Sequence, residues 1–415
     1  TEHSVRVFCF SKNSTISINQ KMNTKNTTIK IPQLIAIASF AVFAMFFGSG
    51  NLVFPLIVGT HSIDNGLWAA AGILLTGVLL PLIGLIAILL YTGDPYKYWS
   101  TLGRPVAWLL GLLTFSLLGP LGVGPRSILV SYGGVHALAP SIPLPLFGLA
   151  FLGVVGFIIA RPNALIDRIG TWLTPVLLAG IAVLVWLSLR SPDAVSVATS
   201  AAALPRESLK LGLTSGYQSL DLLGGAVVAP ALWRHVNAKI HGSSHNPLRI
   251  SLLASCIGLA LMGIVYSGFV LIGAKHAASL VGIPHEGLLL AAAHEVLGAW
   301  ATPWVAVLYI LACLTTACAT TEFFAEFIAE HTPLGRWGKK PCVGIALALT
   351  YAMSLLGFSG LTVFLATILT FIYPALGAFA CVQIITQLQL PKLKAAQLAF
   401  WGTLALVTII PLFNN

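Results

Sequence analysis

From residue 33 almost to the end of the chain, apolar runs follow one another, parted by short stretches rich in Gly, Pro and charge. The hydrocarbon layer of a bilayer is about 30 Å thick and takes about 20 helical residues. Windows of that length predict spans near 33–59, 66–92, 105–138, 143–160 and 168–189. Another five lie near 210–233, 247–274, 301–328, 341–357 and 359–386, and an eleventh near 396–413. Residues 275–300 are apolar too but carry Lys275, His276, Pro284, His285, Glu286, His294 and Glu295, which predicts an external loop with short helices. Residues 1–32 are polar, lack the apolar core of a secretory signal, and read as a disordered cytoplasmic tail.

Composition fixes the class. Only 8% of the residues are charged and the mean hydropathy is +0.92, against about 25% charged in a soluble domain, so the pattern describes an all-α polytopic membrane protein. A formal charge of +10 would point to nucleic acid in a soluble chain, but here the positions of Lys and Arg matter more than their sum. With the N-terminus cytoplasmic, external segments hold Arg190, Arg206, Lys210 and Lys275, Arg126 falls inside a span, and all the others are cytoplasmic. The six cysteines form no CxxC pair and read as buried free thiols. His235, His241 and His245 are too loosely spaced for zinc. No phosphate-binding loop, nucleophile elbow or dinucleotide fingerprint occurs, so neither an enzyme, a cofactor nor a nucleic-acid partner is expected.

One span contradicts its own helix. FFGSGNLVFP (Phe46–Pro55) places Gly48, Ser49, Gly50, Asn51 and Pro55 inside an apolar run. In lipid an unpaired backbone group costs several kcal/mol, so an interruption survives only against protein or a watery cavity. The freed N–H groups of the second half-helix suit a carboxylate, and the freed carbonyls of the first suit Na⁺ or an ammonium group. The other reading is that these small residues only let helices pack closely. GNLVFP at Gly50–Pro55 recurs as GAVVAP at Gly225–Pro230, 175 residues on, which joins span one to span six. The first ten spans then form two units of five, residues 33–190 and 207–386, with an additional helix in 396–415. An odd number of spans per unit inverts the second unit in the membrane.

In GYQSLDLLGG (Gly216–Gly225), Asp221 lies about halfway along span six. A carboxylate there needs a partner: a coupling cation, a substrate ammonium or Arg126; the alternative is a helix cap. Arg126 sits in LLGPLGVGPRSILVSY (Leu117–Tyr132), where Gly-Pro steps loosen span three, and is read as structural or gating together with Pro55 and Pro230. Tyr132 is a candidate pocket wall. Span eight carries Thr315 and Thr316, whose hydroxyls either ligate an alkali cation or bond their own helix. Glu322, Glu326 and Glu330 step by four near its inner end, facing basic loops.

Taken together, FFGSGNLVFP, LLTGVLLPLIGLIA, LGPLGVGPRSILVSY, GYQSLDLL and ACLTTACATTEFFAEF resemble the bacterial branched-chain amino acid:cation symporter family across most of residues 33–390. The resemblance implies a LeuT-type five-plus-five inverted-repeat bundle with broken first and sixth helices plus one C-terminal helix, in the bacterial cytoplasmic membrane. It implies import of leucine, isoleucine and valine by symport with Na⁺ as the coupling ion. Gly48, Ser49, Gly50, Asn51, Gly216, Tyr217, Ser219 and Asp221 would frame the substrate. Ala312, Thr315 and Thr316 match an A-x-x-[ST]-[ST] sodium pattern, completed by backbone oxygens near Ala44 and Phe47. Leu220, Leu222 and Leu223 stand where the family has methionine and smaller residues. That departure leaves another neutral amino acid open as the substrate; the alternative reading of the chain is a proton-coupled carrier of another neutral amino acid or small metabolite.

Overall fold

Prolines and short polar side chains set where the helices start. Pro32, Pro95, Pro105, Pro205 and Pro247 each occupy a first helical turn, where a missing N–H loses no intrahelical bond. Asp94 accepts from the amides of Tyr96 and Lys97, and Asn246 from that of Leu248, so both cap the helices they precede. The structure, a computed structural model, describes residues 30–62, 65–160, 178–188, 190–191, 204–240, 245–389 and 393–413. Most of the expected tail (1–29) and the first part of the fifth span (168–177) lie outside the described residues, as do His241 and Cys9.

The helices are α1 (Ile31–Phe46), α2 (Ser49–Thr60), α3 (Gly66–Leu90), α4 (Pro95–Ser100), α5 (Arg104–Leu118), α6 (Val123–Leu138), α7 (Leu144–Ala160) and α8 (Leu178–Ser188). They continue as α9 (Pro205–Gln218), α10 (Asp221–Ile240), α11 (Pro247–Lys275), α12 (Leu288–Leu297), α13 (Ala301–His331), α14 (Lys339–Ser354), α15 (Gly357–Gln389) and α16 (Leu393–Phe413). Among the described residues there is no strand, and five helices are long and apolar enough to cross a membrane; the α1–α2 pair, bent by 74°, makes a sixth. Residues 275–300 fold into short helices and turns.

Three spans are interrupted. The first breaks at Phe47 and Gly48 only; Ser49, Gly50 and Asn51, expected in the break, already belong to α2. The sixth breaks at Ser219 and Leu220, while Gly216 and Tyr217 are helical. The hexapeptides GNLVFP and GAVVAP are therefore not equivalent in space: Gly50 is the second residue of α2, Gly225 the fifth of α10. The third span opens at 119–122, where Leu121 donates to the carbonyl of Ser116 and Gly124 to that of Gly119, both at 2.9 Å. These wide, π-like bonds accommodate Pro120.

Two groups of helices emerge from the packing. α1, α2, α3, α9, α10 and α11 pack on one another, as do α5, α6, α7, α13 and α14, with α15 and α16 paired alongside. Within the first group glycines meet face to face. A Cβ on Gly212 of α9 would stand 3.0 Å from the Gly72 Cα of α3, and one on Gly59 of α2 would stand 2.9 Å from the Gly273 Cα of α11. Beside the first pair, a π turn in α3 (Leu75–Leu79) lets Thr76 donate to the Leu213 carbonyl at 2.8 Å. Near the end of α13, Glu322 and Glu326 share Lys339 at 2.7 and 2.8 Å, the basic partner expected for them.

Gly212→Val should force α3 and α9 apart and lower stability by about 1–3 kcal/mol, read as thermal unfolding in detergent. Gly402→Ala, with nothing within 4 Å of an added Cβ, should be neutral. Equal melting of the two variants would show that the glycine contact does not hold the bundle.

Candidate substrate and cation site

The first and sixth breaks meet through one side chain. Asn51, in the first turn of α2, accepts from the Gly48 amide through Oδ1 at 3.1 Å and so closes the backbone of its own break. Its Nδ2 donates to Asp221 Oδ2 at 3.0 Å and to the Tyr266 hydroxyl at 2.8 Å. Tyr266, on α11, donates to the same Asp221 oxygen at 3.0 Å. All three are buried, at 2%, 4% and 0% exposed. Asp221 thus finds its partners in two neutral donors; the guanidinium of Arg126 bonds elsewhere. Tyr266 was not singled out in the sequence. The available signal was the one tyrosine of an apolar span, four residues after Met262, whose sulfur also lies against Asn51.

Beside this cluster opens a cavity of about 640 Å³, within the usual range for small-molecule sites. Gly48, Ser49, Gly50, Asn51, Ser219 and Asp221 line it, opposite Ala312, Thr315 and Thr316. Ala44, in the last turn of α1, and Phe47, just past its end, line it too, where carbonyls lack intrahelical donors. The remaining walls are apolar, among them Phe43, Leu118, Val123, Val227 and Phe323. Ser49 is 1% exposed and its hydroxyl has no protein partner, beside the α2 amides that also lack intrahelical acceptors. The Thr315 and Thr316 hydroxyls donate to the Ala312 carbonyl, each at 2.9 Å, which leaves their oxygen lone pairs as acceptors. A Cβ on Gly48 would stand 3.7 Å from the Thr316 methyl, so α13 closes directly on the first break.

Three sequence candidates are not among the cavity-lining residues. Tyr132 turns its hydroxyl to the Ile142 carbonyl at 3.1 Å and its ring to Phe147. Gly216 packs on Thr76 and Gly77 of α3. Tyr217 stacks against Tyr373, ring centroids 5.2 Å apart. All three sit on helix faces turned to neighbouring helices. Pro55 and Pro230 are buried within α2 and α10, beyond the breaks. Among the described residues no group of three His, Cys, Asp or Glu is placed to hold a metal ion.

Residues 32–415 match the model of the family described as branched-chain amino acid transport protein. The chain belongs to that family. It is 30% identical over 315 residues to the branched-chain amino acid transport system 2 carrier protein of Pseudomonas aeruginosa, covering 74% of this chain and 71% of the relative. Among solved structures it resembles MhsT in complex with L-phenylalanine, with a TM-score of 0.58 at 14% identity over 90% of this chain and 97% of that one. It also resembles an inward-facing conformation of Mhp1, with a TM-score of 0.55 at 14% identity over 90% of each chain. The fold is LeuT-type, and the protein is a multi-pass membrane transporter, not an enzyme.

Removing Asn51 leaves Asp221 one donor short in a buried site. Asn51→Ala should destabilise the protein by about 3 kcal/mol and Tyr266→Phe by about half as much, measured as thermal unfolding in micelles. If Asn51→Ala melts with the parent, the amide does not tie the breaks together.

Proposed function

We propose that this protein imports leucine, isoleucine and valine across the bacterial cytoplasmic membrane by symport with Na⁺, its N-terminus cytoplasmic, exposing the site to one side at a time. The observation that carries the reading is the meeting of two interrupted helices at Asn51, with an unpartnered serine hydroxyl, helix-start amides and a carboxylate on one apolar-walled cavity. The relatives' names supply the substrate class.

Each end of a zwitterion has an answer here. The amides at the start of α2 and the Ser49 hydroxyl receive the carboxylate, helped by the positive end of the helix dipole. Asp221 attracts the ammonium, and the apolar walls take a branched aliphatic side chain. Ala44, Phe47, Thr315 and Thr316 line the same cavity, and the carbonyls of the first two with the hydroxyls of the last two would make a set of neutral oxygens suited to Na⁺. A cation there offsets the charge of Asp221, so the loaded site carries no net charge into the occluded state. The cavity reaches Ile37 and Phe40 along α1, which makes this the inward-open form when the chain starts inside.

A second reading, a proton-coupled carrier of another neutral amino acid or small metabolite, rests on the same carboxylate. Asp221 is the only acidic residue lining the cavity among the described residues, and a proton on it removes the same charge that Na⁺ offsets.

Labelled leucine should accumulate in proteoliposomes under an inward Na⁺ gradient and stop when choline replaces Na⁺ at fixed pH. Uptake that survives choline and follows the pH gradient selects the second reading; no gradient-driven uptake of any amino acid ends both. Asp221→Asn should reduce uptake to background in a folded protein. Thr316→Ala should raise the Na⁺ concentration for half-maximal uptake by about fivefold, the loss of one oxygen ligand.

A further inference from the structure

On the side of the breaks away from α1, the Arg126 guanidinium of α6 is 1% exposed and absent from the cavity lining. Its Nη1 donates to the Gln218 carbonyl at 2.6 Å, and its Nη2 lies 3.4 Å from Gln218 Oε1. Its carbon Cζ stands 4.8 Å from the Phe54 ring centroid and 5.9 Å from that of Phe358. The two rings are 6.0 Å apart, and Phe358 meets the His285 ring at 5.9 Å. Gln218 in turn donates to the Thr362 carbonyl of α15 at 3.2 Å.

Gln218 is the last residue of α9. Its carbonyl is one of those a helix end leaves unpaired, at the negative end of the dipole, and a guanidinium bonds it more strongly than a neutral donor does. An arginine inside the bilayer must have such partners, so its position draws α2, α6, α9 and α15 together. Arg126, Phe54 and Phe358 are each 3% exposed or less, so the cluster itself is closed to solvent. Gly50 belongs to the same arrangement: a Cβ there would lie 3.1 Å from Arg126 Nη1. The Arg126 Nε has no partner, so the cluster holds the closed form without using every donor.

We infer that Arg126 is a latch: by holding the end of α9 against α2 and α15 it closes the outer route while the inner one is open, and its release from Gln218 opens that route. It acts as a positioning residue and touches neither substrate nor cation. The inference rests on the alternating-access reading above.

The test measures outer opening directly and needs neither substrate nor ion. Spin labels go on Leu67→Cys of α3 and Leu138→Cys of α6, which are 87% and 52% exposed and belong to the two helix groups, after the six native cysteines are replaced by alanine. In the parent the closed distance should dominate. Phe358→Ala, which leaves the cavity lining intact, and Arg126→Gln should each move the ratio of outer-open to outer-closed molecules by about tenfold, the loss of one charge-assisted contact. Arg126→Lys, with charge but no fork, should fall between. If Arg126→Gln does not fold, Phe358→Ala and Arg126→Lys decide. Distances in Phe358→Ala that match the parent overturn the latch, whether or not uptake is lost; absent uptake with shifted distances counts against the transport reading alone.

Discussion

A single amide makes the interrupted bundle possible. Backbone that leaves the helix inside lipid must find polar partners or revert to helix, and Asn51 supplies them for two helices at once. Its carbonyl closes the Gly48 turn, and its NH₂ group reaches Asp221 and Tyr266 on two other helices. The consequence is geometric. The start of α2 and the carboxylate at the start of α10 are held together by this amide, and the buried charge is stabilised by donors of the protein itself. In the proposed reading, neutral donors suit a carrier better than a fixed cation would, because a permanent ion pair would compete with a substrate ammonium.

Around that pin the molecule is built for relative movement. The glycine contacts Gly72–Gly212 and Gly59–Gly273 bring α3, α9, α2 and α11 into backbone contact, which stiffens one group, and α13 with α6 and α14 forms the other. The cavity lies between the groups, with Asp221 and Asn51 on one wall and Thr315 and Thr316 on the other. A cation bridging the Ala44 and Phe47 carbonyls to those threonines would draw the two walls together. In the proposed symport, ion binding would gain its leverage over the conformational equilibrium in this way, by favouring only states in which both walls are near.

Much of this was legible before any coordinates. Apolar windows located the helices, and Gly, Ser and Asn inside an apolar run marked the first break. Asp221, too costly in lipid to be idle, marked the second. The exact interruptions were not legible, because residue type misleads there. Gly48 adopts φ −126°, a conformation open to any residue, and a Cβ there would meet Thr316 and Asn51 only at ordinary contact distances of 3.7 and 3.8 Å, so neither backbone nor space requires glycine at the break. The residue that does adopt a left-handed backbone is Leu220, at φ 66°, which no turn rule would nominate. Tyr132 was placed in the site by its spacing and Tyr217 by the family resemblance, and neither reports which way a helix is rotated. Tyr266 escaped notice because a solitary tyrosine in a span reads equally well as an interfacial anchor.

Leu220 stores strain at the sixth break, with φ 66°. A non-glycine residue with positive φ costs about 1–2 kcal/mol, and it persists only where neighbours hold it. Gly122, in the third interrupted span, makes room for its side chain, which lies 3.0 Å from where a Cβ on that glycine would stand. On one side Arg126 grips the Gln218 carbonyl; on the other Asn51 and Tyr266 grip the Asp221 carboxylate. Gate and site are therefore separated by Ser219 and Leu220 alone. Ser219 keeps a helical backbone (φ −64°) and Leu220 a left-handed one (φ 66°); across a link this short, releasing the proposed latch would disturb the carboxylate, and filling the carboxylate would bias the latch in return.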